Sequence, residues 1–265
     1  MISLTSADLY ALIAGLIWPA TRILGLIAVA PLFSNRSIPR RLKLTLGLLL
    51  SAIVAPVIPA VPLVEPMSMT GMLILAQQFV IGLAMGFAMR IVFSAVEMAG
   101  EITGLTMGLG FATFFDPQSQ GRSSAISQFL GLLAILLFLA ADIHLMMLAA
   151  LVESFTAMPI SPSPMSGEGF YKLVIWGGHI FSAGTQLALP MIAALLITNM
   201  ALGILTRAAP QLNLFAIGFP LTLGIGFIVL ALTLPYLATP LQRLFMDGLD
   251  AVRQVGGVSP QGPLR

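Results

Sequence analysis

Cysteine is absent from the 265-residue chain, which excludes disulfides, thiolate nucleophiles and cysteine-ligated metals and leaves the compartment undecided. Charge is scarce too: Asp, Glu, Lys and Arg make up 8% of the residues, against about a quarter in an ordinary soluble domain. A soluble fold is therefore disfavoured. Disorder is excluded over most of the length, because it needs low hydrophobicity and high charge, whereas 58% of this chain is hydrophobic and its mean hydropathy is +1.02. The two histidines, His144 and His179, lie in separate apolar stretches and form no metal-ligand pair. Asp142 and His144 are too close in sequence to share a helix face, and read as a polar pair at a helix end. No Gly-x-Ser-x-Gly elbow and no phosphate loop is present, so the reading is non-enzymatic, with no cofactor and no metal. The net charge of +2 is a small excess rather than a basic surface, so nucleic acid is not an expected partner.

What is present is apolar sequence punctuated by isolated charges. A spanning helix takes about 20 residues, so the length holds roughly five to seven, with no room for a separate soluble domain. The fold class expected is all-α: a polytopic membrane-protein bundle with broken helices and hairpins. Arg22 is the first basic residue and lies inside the first apolar stretch, 9–33, so the N-terminus is expected to belong to the mature protein. A loop with Arg36, Arg40, Arg41 and Lys43 follows. Further spans are expected over 44–64, from Gly71 to Val96, and between Arg122 and Glu153. A turn-rich segment from Ser161 to Gly169 then separates two parts of the chain.

From Leu173 to Thr206, and again from Ala208 to Gln242, there is no formal charge. Each stretch exceeds one ordinary span, and Pro190 in the first and Pro210, Pro220, Pro235 and Pro240 in the second predict breaks or hairpins. Backbone groups freed by such breaks must be buried in protein or line a wet cavity, which points to an assembly. The positive-inside rule places the 36–43 loop in the cytoplasm and the N-terminus outside; six spans would put the C-terminus outside as well.

Arg90, Glu97 and Glu101 share one face of a predicted helix at spacings of seven and four. They form either an intramembrane ion path, as in a secondary transporter, or a structural pairing near the interface. The transporter alternative is weakened by the lack of an inverted repeat. Gly82 and Gly86, and the ladder Gly100, Gly104 and Gly108, have the four-residue step that lets helix backbones approach closely. After the ladder comes GLGFATFFDPQSQG, in which Gly108 and Gly110 loosen the backbone ahead of Phe111, Phe114 and Phe115. The aromatic cluster is open to two readings, ordinary core packing or a hydrophobic constriction that closes a pore by excluding water.

These pieces resemble the FliR family of flagellar biosynthetic proteins and its type III secretion relatives. The resemblance rests on the early basic loop with Pro39, the Glu97, Gly100 and Gly104 run, GFATFFDP at 110–117, and RAAPQLNLFAIGFPLTLGIG at 207–226. It implies a pore-forming, non-enzymatic subunit of the flagellar export gate in the bacterial inner membrane, at the flagellar basal body. The implied partners are P-type and Q-type subunits (FliP and FliQ), FlhB, membrane lipid, and the unfolded flagellar subunits that pass through. The family likeness makes Gly108, Gly110, Phe111, Phe114 and Phe115 a pore plug. It makes Gly100, Gly104, Arg207, Pro210, Gln211, Asn213, Phe215, Gly218 and Pro220 subunit-packing positions. A gate raised partly out of the bilayer would also account for the overlong stretches.

Residues 1–245 are expected to form a single helical export-gate domain. In the tail, Leu241, Leu244, Phe245, Leu249 and Val252 recur at helical spacing and predict a short amphipathic helix. The end of that helix and a flexible tail would occupy 246–265.

Overall fold

The computed structural model describes residues 6–35, 37–58, 61–62, 64–111, 124–162, 167–209 and 214–258, the side chains of 6–14, 111 and 214–217 excepted. All regular structure among these residues is helical, as the composition requires. The helices are α1 (Ser6–Val29), α2 (Arg40–Val54), α3 (Met69–Thr106), α4 (Ala125–Ala140), α5 (Ile143–Ala157), α6 (Gly167–Gly177), α7 (His179–Ala208) and α8 (Leu214–Val255).

Local chemistry sets most of the boundaries. Pro39 precedes α2 in an extended conformation, and the chain tightens into a 3-10 turn, Ala55–Val57, at Pro56, which lacks an N–H to donate to the preceding turn. Ser68 opens α3 by accepting the Gly71 N–H at 3.0 Å. Gly108 closes it in the left-handed region at φ 89°, donating to Leu105 O at 3.0 Å. Asp142, at φ 54°, separates α4 from α5, a backbone state that Asp tolerates better than most residues. Past the end of α8, Gly257 at φ 72° completes a Schellman stop, with Val258 N donating to Arg253 O and Gly257 N to Gln254 O.

The chain breaks between Ala208 and Leu214, in the segment that carries Pro210, but the other four prolines of the long stretches do not break them as expected. Pro190 lies inside α7, and Pro220, Pro235 and Pro240 lie inside α8, which continues for 42 residues or about 60 Å. A proline removes one helical hydrogen bond, whereas unravelling the turns around it in apolar surroundings would leave many more groups unpaired. The amphipathic end segment is likewise the last part of α8. Its expected face, Leu241, Leu244, Phe245, Leu249 and Val252, is buried throughout.

Three stretches among the described residues are long and apolar enough to cross a membrane: α3, α6 with α7, and Gly218–Val255 of α8. A fourth arises if α4 and α5 form one span. At 15 residues α2 falls short of the roughly 20 that a crossing takes, whereas α1 runs for 24.

The chain divides into two compact units, neither contiguous in sequence. The first takes in residues 1–91, 142–177 and 245–265, and so contains α1, α2, the start of α3, α5, α6 and the end of α8. Here α1 and α3 run parallel at close range. A Cβ on Gly25 would meet Phe79 O at 2.6 Å, one on Gly86 would meet Leu26 O at 2.8 Å, and one on Gly82 would collide with Arg22 O. Glycine is required at these points because backbone lies against backbone. Ser51 Oγ ties α2 to α1 through Leu16 O at 2.9 Å.

The second unit comprises 92–141 and 178–244. Phe93 of α3 meets Phe138 of α4 edge to face, with centroids 5.5 Å apart. Gly184 of α7 packs against Ala95 O and Met98 of α3. An apolar crevice opens between these helices and α8, with Ala99, Leu130, Pro190 and Leu237 in its wall.

Candidate functional site

The second unit builds a loop held at its base. Helices α3 and α4 run antiparallel, and the glycine ladder marks their line of contact. A Cβ on Gly100 would collide with Ser127 Cα, whereas one on Gly104 would meet Ser124 Oγ at 2.9 Å. Hydroxyls and a carboxylate stitch the same line. Ser127 Oγ donates to Glu97 O at 2.8 Å, Ser124 Oγ to Gly100 O at 3.3 Å, and the Ser124 N–H to Glu101 Oε1 at 2.7 Å. Ser124 Oγ also accepts the Ser127 N–H, capping α4. The Glu101 carboxylate thus sits where the unpaired amides of a helix start favour negative charge. The chain leaves this clamp at Met107 and re-enters it at Ser124.

The departing end is held from α8. Met107 is fully buried, and its side chain fills the space a Cβ on Gly226 would take, at 2.6 Å. The Thr222 hydroxyl, bonded to Phe219 O at 3.0 Å, lies 3.4 Å from Met107 O. Gly108 then turns the chain into a short 3-10 helix, Leu109–Phe111. Gly110 is half-buried, and among the described residues a Cβ there would touch the flexible end of Leu105 at 3.1 Å. The side chain of Phe111 and all of Phe114 and Phe115 lie outside the described residues.

Of the three charges expected on one face of α3, Glu101 is at the clamp, and Glu97 contributes its carbonyl there while its stem passes Gly131. Arg90 is half-buried in the part of α3 that belongs to the first unit. Among the positions assigned to subunit packing, Gly100 and Gly104 are in use inside the chain, against α4. Arg207 is exposed in the last turn of α7, Gly218 is buried and Pro220 exposed on α8, and Phe215 belongs to the first turn of α8. Pro210, Gln211 and Asn213 lie outside the described residues.

Substitution at Glu101 separates a clamp from an ion path. Glu101→Ala leaves the Ser124 N–H unpaired and is expected to lower stability by about 2 kcal/mol. Glu101→Gln keeps an acceptor oxygen and is expected to lose less than half of that. Thermal unfolding of the purified variants checks this ranking. A proton or ion relay would instead make Gln as damaging to function as Ala.

The first unit holds a polar node that sequence reasoning passed over. Arg22 is fully buried, yet no carboxylate faces its guanidinium among the described residues. Neutral acceptors take its protons: Nε donates to Gln78 Oε1 at 2.8 Å, Nη1 to Ser154 O and Oγ at 2.9 and 3.0 Å, and Nη2 to Met158 O at 2.9 Å. Phe155 covers the group, its ring centroid 4.3 Å from Cζ. Ser154 and Met158 belong to the last turn and the C-cap of α5, at the negative end of the helix dipole; Ser154 O also accepts the Met158 N–H at 2.9 Å, so Arg22 shares that carbonyl with the helix. Arg22 of α1 therefore caps the C-terminus of α5 from outside, and Gln78 attaches α3 to the same group. The visible signal was a lone arginine in an otherwise apolar helix, which must find partners.

Comparison with known proteins places this architecture. The model of the family described as bacterial export proteins, family 1, matches residues 13–248. The chain is 42% identical to the flagellar biosynthetic protein FliR of Pectobacterium carotovorum subsp. carotovorum, over 96% of this chain and 97% of that protein. It is 44% identical to FliR of Escherichia coli (strain K12), over 87% and 88% of the two chains. Similarity extends to FliR of Bacillus subtilis (strain 168), at 27% identity over 88% and 91%.

Proposed function

This chain belongs to the bacterial export proteins of family 1, the family of the flagellar biosynthetic proteins FliR, and from that premise we propose that it is a structural, pore-forming subunit of the flagellar type III export gate. In this reading it sits in the inner membrane at the flagellar basal body with P-type and Q-type subunits and FlhB, and unfolded flagellar subunits pass through the assembly. The segment carrying Phe111, Phe114 and Phe115 helps to close the pore.

One observation carries the proposal beyond the family name. The segment between Met107 and Ser124 is fastened at both ends, by Glu101 and the Gly100 and Gly104 contacts on one side and by Thr222 and Gly226 on the other. Rings that close a pore must be held against displacement, because excluding water from a constriction depends on its width. A rigid base gives an aromatic segment that constancy. The engagement of Glu101 with a backbone amide also supports a structural use of the α3 charges over an ion path.

The test is the double substitution Phe111→Ala with Phe114→Ala in cells making the assembled gate. Small-solute leak across the inner membrane is expected to rise while the amount of assembled complex stays unchanged. Normal assembly with no added leak would remove the plug role.

A further inference from the structure

Helix α2 meets the rest of the chain along one narrow stripe, Gly47, Ser51 and Val54. Its opposite face, Leu42, Leu46, Leu49 and Ile53 at helical spacing, is apolar and 36% to 69% exposed. Nothing in the chain covers this face among the described residues. The helix is also polarised along its axis. Its first turn holds Arg40, Arg41 and Lys43 and no acidic residue. Arg40 and Arg41 are exposed and Lys43 is half-buried. No ion pair joins any of the three to a carboxylate among the described residues.

We propose that this end of α2 is a binding site for the phosphate headgroups of anionic phospholipid, with the Leu42 to Ile53 stripe against the acyl chains. The distribution of polarity selects the occupant. The occupant must offer negative charge at one end of the helix and hydrocarbon along the rest. A lipid supplies both environments in the same axial order, a phosphate layer followed by hydrocarbon. From Leu42 to Ile53 the stripe is about 17 Å long, so it reaches beyond the headgroups into the acyl region. The cluster also lies in the loop that the positive-inside rule assigns to the cytoplasmic leaflet, where anionic lipid attracts basic residues. The inference is independent of the gate proposal, since it concerns a helix of the first unit and uses no residue of the clamp.

The experiment is native mass spectrometry of the full chain in mild detergent, titrated with phosphatidylglycerol and with phosphatidylcholine of the same acyl length. Wild type is expected to retain phosphatidylglycerol at least tenfold better, with the preference falling as salt is raised. Arg40→Gln and Arg41→Gln should each weaken retention about fivefold, and the triple variant with Lys43→Gln about a hundredfold. Arg243→Gln, an exposed cation elsewhere, should leave the preference intact. These surface substitutions leave the α1 contacts in place, and the single variants decide the matter if the triple variant does not fold. An unchanged preference in them, or none in wild type, would overturn the proposal. Displacement of the lipid by millimolar inorganic phosphate would show a free-phosphate site and overturn the lipid assignment.

Discussion

Arg22→Met is expected to destabilise the first unit by about 4 kcal/mol, within the range for breaking a buried charged contact. Methionine matches the arginine stem in length but donates nothing, so Gln78 Oε1 and Met158 O lose their guanidinium partner in a buried place, while Ser154 O keeps only the Met158 N–H. In a chain of this size the loss corresponds to about 10 °C in unfolding midpoint. Arg22→Lys should fall between, because an ammonium keeps the charge but cannot span three acceptors held in a planar fork. Adding Gln78→Leu to Arg22→Met should recover part of the loss by removing one orphaned amide, a coupling a double-mutant cycle measures. A midpoint for Arg22→Met within 2 °C of wild type would rule out the node as a stabilising element.

Gly100→Val is expected to cost about 3 kcal/mol and to release the loop base. Any Cβ at this position lands on the backbone of Ser127, so α3 and α4 must separate, and with them the Ser127–Glu97 and Ser124–Glu101 bonds. The neighbouring glycines should respond in graded fashion. Gly104→Ala meets the Ser124 side chain and should cost less, and Gly110→Ala, which among the described residues meets the end of Leu105, should cost least. Thermal unfolding gives the order, and limited proteolysis between Met107 and Ser124 reports the base directly. If Gly100→Val cuts no faster than wild type there, the clamp does not control that segment.

The glycine ladder illustrates what was legible. A four-residue step of glycines specifies a helix surface that another backbone can approach, and α3 has that surface. Which backbone occupies it is not encoded in the step. The contact proved to be α4 of the same chain, and the identity of the occupant rests on the Ser124 and Ser127 hydroxyls that complement it. The prolines of α8 show the opposite case. Their local cost was readable, but whether it breaks a helix depends on what the freed groups would meet, and in apolar surroundings continuation wins.

Composition and charge spacing alone determined that the chain is helical, apolar and built for a membrane, because a backbone without water must bond to itself. Sequence also determined the places where helices start and stop, through Ser68, Ser124, Gly108 and Gly257, since caps act over a few residues. The tertiary structure alone decided the partners of Arg22. Two of its four acceptors are main-chain carbonyls more than a hundred residues away, and a carbonyl carries no residue identity for a sequence to display. Only the folded end of α5 turns them into a site, by setting both carbonyls within reach of one guanidinium.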